Sequence, residues 1–288
     1  MSTTATAPAP TRTRADGPHL TFPRIVRSEW IKLWTLRSTY WTLGITVAVM
    51  VLFAWAMAAS INAMGADAMS ETGGVESAAS LVYTALGPGQ AFGSLVLVVV
   101  AALTVTGEYG TGQIRSTLAA VPARLPVLWA KALVVLVVSF VTAAVGTALS
   151  LLLAGLIVSD LQPDWSDPET VRVVLGTPLY IAGVALLGFA VGALLRNTAA
   201  TIAIVIGFVL VIESVLSLIS WKPLEYVRPF LPSSAGARVS TPQELIDMTN
   251  EMSPNAVSLG PWAGYAVLIG WVVVIGAAAA WRLRTRDA

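Results

Sequence analysis

The sequence predicts an all-α polytopic membrane protein with six transmembrane helices, and three observations carry this prediction. Hydrophobic residues make up 56% of the chain and charged residues only 11%, which is far from the balance of soluble proteins. Six apolar segments each reach or approach the roughly 20 residues that a helix needs to cross a bilayer. The lysines and arginines are distributed unevenly over the connections between these segments. The bilayer is therefore expected to be the solvent for most of the chain.

The N-terminal part of the chain is predicted to contain a tail and an interfacial helix. Residues 1–20 are rich in Thr, Ala and Pro without apolar periodicity, which indicates a disordered cytoplasmic tail. Residues 21–40 predict an amphipathic helix, with Thr21 as its cap and a proline in its first turn. Its characteristic residues are Arg27, Trp30, Lys32 and Trp34. The apolar side is expected in the headgroup region and the basic side toward anionic lipid. A simple basic flank to the first span is the alternative.

A six-span permease domain is predicted over residues 41–281. The apolar segments are about Trp41–Ile61, Gln90–Gly107, Pro126–Val158, Val173–Leu195, Thr198–Ser220 and Pro261–Trp281. The second is the shortest and follows Gly87-Pro88-Gly89, which predicts a bent or partly re-entrant entry. The third is longer than a bilayer requires and is expected to tilt or protrude. The connection between the fourth and fifth segments is very short, so these two helices are expected to form a tight antiparallel hairpin.

The segment before the last span is the longest connection outside the apolar segments. It runs over Trp221–Gly260 and is divided by several prolines. Within it, Thr241-Pro242-Gln243-Glu244 is typical of a capped helix start. One or two short external helices are therefore expected here, and a separately folded domain is not.

The distribution of lysine and arginine predicts the orientation of the chain. With both termini in the cytoplasm, only Arg172, Lys222, Arg228 and Arg238 of the 17 basic residues fall outside. Residues 282–288 then form a basic cytoplasmic tail. The chain is accordingly expected in the plasma membrane as a multi-pass protein with both ends inside.

A polar, glycine-punctuated island, Thr106–Arg124, separates the second and third spans. Gly110 and Gly112 permit a sharp turn, after which a helix is predicted from Gln113 to Ala120. Glu108 lies at the C-terminal end of the preceding helix, where the helix dipole disfavours a carboxylate. It is therefore expected to require a cationic partner such as Arg115 or Arg124.

The fifth span contains one ionisable residue, Glu213, at a depth where a charge is costly. One interpretation is that it lines a substrate path or titrates. The other is that it caps an outer helix end through Ser217 or Lys222, or extends to the outer mouth. The sequence leaves both open.

The sequence lacks the residues that several kinds of enzyme require. A phosphate-binding loop needs a Gly-Lys pair, but Lys32, Lys131 and Lys222 follow other residues. The sequence contains a single histidine, His19, and it lies in the predicted tail. Intramembrane histidine-metal proteases and serine-histidine hydrolases are therefore excluded. The chain has no cysteine, which excludes cysteine nucleophiles and thiolate metal sites. We therefore expect neither an enzyme nor a metal site.

The run Glu108-Tyr109-Gly110-Thr111-Gly112-Gln113-Ile114-Arg115-Ser116-Thr117-Leu118, followed by Pro122 and Arg124, carries a family resemblance. It resembles the cytoplasmic segment after the second span in permease subunits of the ABC type-2 transporter family. The basic amphipathic helix, the Leu194–Thr198 turn and the long segment before the last span fit the same pattern, so that the resemblance covers roughly Arg24 to Trp281. Gln113 departs from it, since an apolar or small residue is more usual there.

The resemblance implies an exporter permease that couples to a separate ATPase subunit through a coupling helix. The residues it implicates are Glu108, Tyr109, Gly110, Gln113, Arg115 and Arg124. It implies that ATP and Mg²⁺ bind the ATPase, with no cofactor in this chain, and that a second permease copy or a paralogue completes the path. Nucleic acid is not an expected partner. A membrane scaffold or signalling subunit, or a secondary transporter using Glu213, are the alternatives.

Overall fold

The computed structural model describes residues 21–64, 77–120, 124–159, 161–219, 221–252 and 256–285. The predicted disordered tail, residues 121–123 of the island and the last three residues lie outside these ranges, as do the side chains of Arg115, Leu118, Ala120 and Ser217. The helices of the first half are α1 Phe22–Thr35, α2 Arg37–Met64, α3 Ala78–Gly110, α4 Gln113–Ala120 and α5 Leu125–Ile157. Those of the second half are α6 Pro168–Leu195, α7 Thr198–Ile206, α8 Glu213–Leu218, α9 Lys222–Val227, α10 Pro232–Ala237, α11 Gln243–Met252 and α12 Pro261–Thr285.

The predicted all-helical architecture with six apolar helices of membrane-spanning length is confirmed for the described residues. These spans are α2, α3, α5, α6, a fifth helix over Thr198–Leu216 and α12. Helix α6 is the most buried of the six and packs against α3, α5 and α12. Helix α2 packs against α3 and α5. The fifth and sixth spans are each only 17% buried over their most apolar window, so most of their surface is left for lipid or another chain.

The second span differs from its prediction because α3 begins at Ala78 and continues through Pro88 without a re-entrant break. The Ser77 hydroxyl caps it by accepting a hydrogen bond from the Ser80 N–H. At Gly89, a Cβ atom would lie 2.8 Å from the backbone oxygen of Met50. This glycine allows the backbones of α2 and α3 to approach closely. The packing of the two helices holds α3 continuous despite the local cost of an interior proline.

Helix α6 begins at Pro168, five residues before the predicted start of the fourth span at Val173. The Asp167 carboxylate caps it by accepting hydrogen bonds from the N–H groups of Glu169 and Thr170. The Thr170 hydroxyl, which also donates to Asp167, is the main cause of a pKa for Asp167 below its usual value. The sequence Asp-Pro-Glu thus supplies a cap, a first-turn proline and a first-turn acid.

The fifth span changes its helical geometry midway. Between α7 and α8, residues Gly207–Ile212 form a π-helix, a geometry that is rare in proteins. The chain then returns toward the bundle through α9 and the short helix α10. A Cβ atom at Gly176 of α6 would lie 2.3 Å from Val239 O, and one at Gly264 of α12 would lie 2.4 Å from Ala235 O. The segment around α10 is therefore pressed between the fourth and sixth spans.

Candidate functional site

One end of the bundle collects the polar island and the basic residues, and we call it the motif end. It contains α1, α4, the end of α3, the start of α5, the α6–α7 turn and the end of α12. The Thr198 hydroxyl donates to the Thr106 hydroxyl at 2.8 Å, which joins α3 to α7. The Arg124 guanidinium donates to Leu283 O at 3.2 Å, which joins the start of α5 to α12. These contacts connect the ends of four spans.

Four charged side chains meet at the motif end, and we call them the ionic cluster. They are Glu29 and Lys32 of α1, Glu108 of α3 and Lys131 of α5. The Lys131 ammonium lies 2.5 Å from Glu29 Oε2 and 2.7 Å from Glu108 Oε1. The Lys32 ammonium lies 2.8 Å from Glu29 Oε1 and 3.0 Å from Glu108 Oε1. Each ammonium therefore bridges both carboxylates, and the two pairs of charges cancel.

The ionic cluster is largely removed from solvent. The side chains of Glu29, Glu108 and Lys131 are only 4%, 9% and 6% exposed, whereas that of Lys32 is 32% exposed. Burial is the largest single influence on Lys32 and lowers its pKa. The hydrogen bond and charge of Glu29 and those of Glu108 together outweigh it, so that the pKa of Lys32 is raised. Separating these charges would leave unpaired ions in an apolar environment, which is far more costly than separating an exposed pair.

The helix faces explain how these charges come together. Ile25, Glu29 and Leu33 lie one turn apart and form the buried face of α1, which packs on the first turns of α5. Ile25 belongs to a small apolar cluster with Val127 and Ala130 of α5. This contact brings Glu29 to Lys131, the residue that follows Ala130. Glu108 reaches the same place from the last turn of α3.

Helix α4 is attached to the ionic cluster and has the bounds that the sequence predicts. The turn before it places Gly112 at a φ of +74°, a conformation that favours glycine. The Lys32 ammonium donates to the Thr117 hydroxyl of α4 at 3.3 Å, and Ile114 is buried. Gln113, Ser116 and Ala119 are exposed on α4. One side of α4 thus contacts the bundle while another is open to a partner.

A second set of contacts surrounds Tyr109, next to the ionic cluster. The Arg196 guanidinium carbon lies 5.0 Å from the centroid of the Tyr109 ring, within the range of a cation–π interaction. Arg196 has a φ of +60° at the end of α6, and its guanidinium donates to Arg282 O at 3.4 Å. Tyr109 therefore connects α3 to the α6–α7 turn and, through Arg196, to α12.

Two sequence predictions at this end are corrected. Among the described side chains, the cationic partners of Glu108 are Lys32 and Lys131, which the sequence did not single out. Arg124, one of the two expected partners, donates to Leu283 O. The side chain of Arg115, the other, lies outside the described residues, so its pairing stays a prediction. Lys32 is predicted to face anionic lipid, but α1 is oriented so that the Lys32 ammonium contacts Glu29, Glu108 and Thr117. Both differences arise because α1 packs on α5 through a face that contains an acid.

The remaining predicted residues at this end lie at the surface or close to it. Arg27 and Trp30 are exposed on α1, as the interfacial-helix interpretation requires. Trp34 is partly buried, with its ring centroid 5.6 Å from that of Trp30. Gly110 and Gln113 are exposed at the turn between α3 and α4.

Sequence reasoning missed Glu29 and Lys131 as site residues, although each carries a recognisable signal. Glu29 is the one acid of α1 and lies midway between two apolar residues at a spacing of four. Lys131 is the one charged residue within the 33-residue apolar helix α5. A lone charge in each of two helices predicted to lie near the same interface could have suggested a pair.

Glu213 lies at the opposite end of the bundle and caps a helix. Its carboxylate accepts hydrogen bonds from the Ser233 N–H at 2.9 Å, the Ser234 N–H at 2.7 Å and the Ser234 hydroxyl at 2.6 Å. The capping interpretation therefore describes its contacts, with Ser233 and Ser234 as partners that the sequence did not suggest. The side chain of Ser217, one of the expected partners, lies outside the described residues. Glu213 also lines a cavity of about 440 Å³, so a role in a path stays a prediction.

The fold and the motif end define a class of protein: a polytopic membrane protein in which α1 and the short helix α4 are joined to the spans by largely buried charges. A family model described as "ABC-2 family transporter protein" matches residues 25–214, and the chain belongs to that family. The match contains all four residues of the ionic cluster and the whole of α4. No curated protein matches the chain.

Proposed function

We propose that this chain is the permease subunit of an ABC exporter in the plasma membrane, with the motif end in the cytoplasm and α4 as the coupling helix. The ionic cluster carries this proposal, because it joins α1, α3 and α5 at one point and reaches α4 through Thr117. The exposed side of α4 then docks on a separate ATPase subunit. ATP and Mg²⁺ belong to that subunit, and nucleic acid is not a partner.

The mechanism follows from how the charges connect the helices. When two ATPase subunits close on ATP, they displace the coupling helices docked on them. Because the buried charges are costly to separate, α1, α4 and the cytoplasmic ends of α3 and α5 move as one unit. The contacts of Tyr109 and Arg196 pass part of this motion to the α6–α7 turn and α12. The spans therefore tilt about a path shared with a second permease copy or a paralogue.

The contacts of Glu213 favour this proposal over an ion-coupled secondary transporter. Its two carboxylate oxygens accept three hydrogen bonds from Ser233 and Ser234, which is the arrangement of a helix cap. Both oxygens of this carboxylate are therefore engaged in holding α10 and are not free to bind a coupling ion. A scaffold or signalling subunit would bind a partner without ATP-dependent flux, and measuring flux separates that alternative from a transporter.

Ser116→Trp is expected to weaken association with the ATPase subunit by at least about tenfold, because an exposed residue of the docking surface then carries a bulky side chain. The measurement is co-purification of ATPase activity with tagged chain from native membranes, normalised to inserted protein. Ser258→Trp, at an exposed residue before α12, is the control and is expected to leave association unchanged. Equal association for both variants would contradict docking through α4.

Cysteine labelling is expected to place the two ends of the bundle on opposite sides of the membrane. The natural chain has no cysteine, so Ser116→Cys and Ser258→Cys each provide a single reactive site. In intact cells, a membrane-impermeant maleimide is expected to label Cys at 258 and to label Cys at 116 only after permeabilisation. The reverse pattern would overturn the orientation and, with it, docking of α4 on a cytoplasmic ATPase.

A further inference from the structure

A cavity of about 440 Å³ lies at the end of the bundle opposite the motif end, and we call it the distal cavity. It is enclosed by the start of α3, the start of α8, the segment from α9 to α10 and one side of α11. Its apolar lining residues are Pro229, Leu231, Ile246, Met252 and Ala256. Its charged lining residues are Glu213, Glu225, Arg228 and Arg238. Charge and apolar surface therefore meet in a space large enough for a small ligand.

Arg238 is a partly buried cation that has no carboxylate partner in the described part of the chain. Its guanidinium donates one hydrogen bond, from Nη1 to Leu259 O. The Nε and Nη2 atoms carry no hydrogen bond and are not buried. Burial of the side chain lowers the pKa of Arg238, as is typical of a cation without a counter-charge. Because a guanidinium has five N–H donors, most of the hydrogen-bonding capacity of Arg238 is unused.

Other residues of the lining also have unused donors. The Tyr83 hydroxyl forms no hydrogen bond with any described residue, and the side chain is partly exposed. Arg228 donates through Nη2 to Ile219 O and, within the same ranges, forms no ion pair. The remaining polar groups of the lining already donate to groups of the chain; they are the hydroxyls of Ser234, Thr241 and Thr249 and the Asn250 amide. The distal cavity therefore favours a ligand that supplies acceptor oxygens.

The two acids of the lining do not supply these oxygens. Both carboxylate oxygens of Glu213 are occupied, because they accept hydrogen bonds from Ser233 and Ser234. Among the described residues, no ion pair joins Glu225 to either arginine. The planar guanidinium of arginine matches the oxygens of a carboxylate or a phosphate, to which it donates two parallel hydrogen bonds. An oxyanion is therefore the group that fits these donors.

Exposed aromatic residues beside the distal cavity indicate that it lies where the bilayer meets water. Trp221, Tyr226 and Phe230 are exposed, and they are close in the chain to the lining residues of α9 and its end. Aromatic side chains of this kind are enriched at both membrane interfaces. Met252 lines the cavity and is 83% exposed, so the cavity is open near the end of α11. A ligand with its oxyanion in the cavity can extend an apolar chain through this opening.

We propose that the distal cavity binds a single-chain amphiphile with a carboxylate or phosphate headgroup. The headgroup oxygens accept hydrogen bonds from Arg238, Arg228 and the Tyr83 hydroxyl, and the first carbons of the chain contact the apolar lining toward Met252. The oxyanion supplies the counter-charge that Arg238 lacks. This binding does not depend on the proposed coupling to an ATPase, because the cavity lies at the other end of the bundle.

The test is binding to the full chain in dodecyl maltoside, measured by native mass spectrometry at alkaline pH during titration with dodecanoate, dodecyl phosphate or dodecanol. The three probes have the same chain and differ in the headgroup. At least one of the two anions is expected to bind at least about tenfold more tightly than dodecanol, because hydrogen bonds to a charged group discriminate by that much. Comparison of the two anions identifies the preferred headgroup.

Two results of this titration would overturn the proposal. One is equal binding of all three probes, which would show that the arginines do not select a headgroup. The other is displacement of the bound anion by acetate or inorganic phosphate as effectively as by dodecanoate, which would show that the cavity binds a free anion and not an amphiphile.

Tyr83→Phe localises the binding without changing a charge. It removes a hydroxyl that has no partner in the described part of the chain, so folding is expected to be unchanged. Binding of the anions is expected to weaken by about fivefold, the effect of one hydrogen bond, while binding of dodecanol is unchanged. Tyr226→Phe, on exposed α9 and outside the lining, is the matched control and is expected to bind as the natural chain does.

Arg238→Gln removes the charge and keeps an N–H donor for Leu259 O. This variant is expected to bind the anions no more tightly than dodecanol. If Arg238→Gln does not fold, the comparison of Tyr83→Phe with Tyr226→Phe decides alone. An unchanged preference for the anions in Tyr83→Phe and in folded Arg238→Gln would show that they bind elsewhere and would overturn the proposal.

Discussion

A Lys131→Met variant is expected to lose about 3–5 kcal/mol of folding free energy, the cost of removing one member of a buried ionic group. Methionine is close to lysine in length and fills the same space, so packing is nearly conserved. Glu29 and Glu108 would then share the single ammonium of Lys32, which is itself partly exposed. The measurement is reversible unfolding of the purified chain in mixed micelles, followed by circular dichroism.

A second substitution separates the effect of charge from the effect of shape. In the double variant Glu108→Gln with Lys131→Met, the remaining Glu29 and Lys32 form a balanced pair at 2.8 Å. The double variant is therefore expected to be more stable than Lys131→Met alone, which is the signature of coupled residues in a double-mutant cycle. Lys222→Met, at an exposed lysine, is the control and is expected to change stability by less than about 0.5 kcal/mol. Additive losses would show that the charges do not act as a cluster.

The double variant also tests the proposed coupling. If α1, α3, α4 and α5 move as one unit because of the buried charges, weakening these charges is expected to lower ATP-dependent transport more than it lowers ATP hydrolysis by the assembled complex. Equal loss of both would indicate a defect in assembly and would count against a role in transmission.

Gly264→Ala is expected to destabilise the chain by about 3 kcal/mol, at the upper end of the usual cost of overpacking. The added Cβ would lie 2.4 Å from the backbone oxygen of Ala235, and a backbone atom cannot move aside as the end of a side chain can. Helix α10 and the turn before it would be displaced from α12, and the contacts of this segment with the bundle would weaken. Among these are the hydrogen bond of Trp271 Nε1 to Phe230 O, at 2.9 Å, and that between Tyr180 and Ser233, at 2.8 Å.

Gly270→Ala is the matched control, because Gly270 lies on the same helix with no atom within 4 Å of its added Cβ. This variant is expected to be neutral or slightly stabilising, since alanine favours the helix more than glycine does. The same unfolding assay compares the two variants. If Gly264→Ala unfolded like Gly270→Ala, the close packing of α10 against α12 would be wrong.

The local sequence pattern was sufficient for the helices. Long apolar runs predict the spans, because a helix in a bilayer satisfies its own backbone hydrogen bonds and needs only an apolar surface of the right length. The polar island predicts α4 with the bounds that the structure has, since Gly112 and the residues after it supply a turn and a short amphipathic helix. The run from Glu108 to Leu118 also indicated the family, which the match over residues 25–214 confirms.

The start of the second span was set by packing rather than by local pattern. Glycine and proline at residues 87–89 favour a break, so the sequence predicts a bent or partly re-entrant entry there. In the structure, Gly89 lies against the backbone of Met50, and α3 runs through the proline. The contact between α2 and α3 therefore outweighs the local preference for a helix break at these residues.

What the sequence by itself determined is the class of the fold, the six spans, the short helix α4 and the family. Only the tertiary structure decided how the charges pair. Glu29 and Lys131 are separated by 102 residues, Lys32 and Glu108 by 76, and Glu213 and Ser234 by 21. Hydropathy and helical periodicity are properties of neighbouring residues, whereas an ion pair depends on which faces distant helices turn toward each other. The position of Glu108 at the end of a helix therefore predicts that it needs a cation, and the packing of α1 on α5 determines that Lys32 and Lys131 supply it.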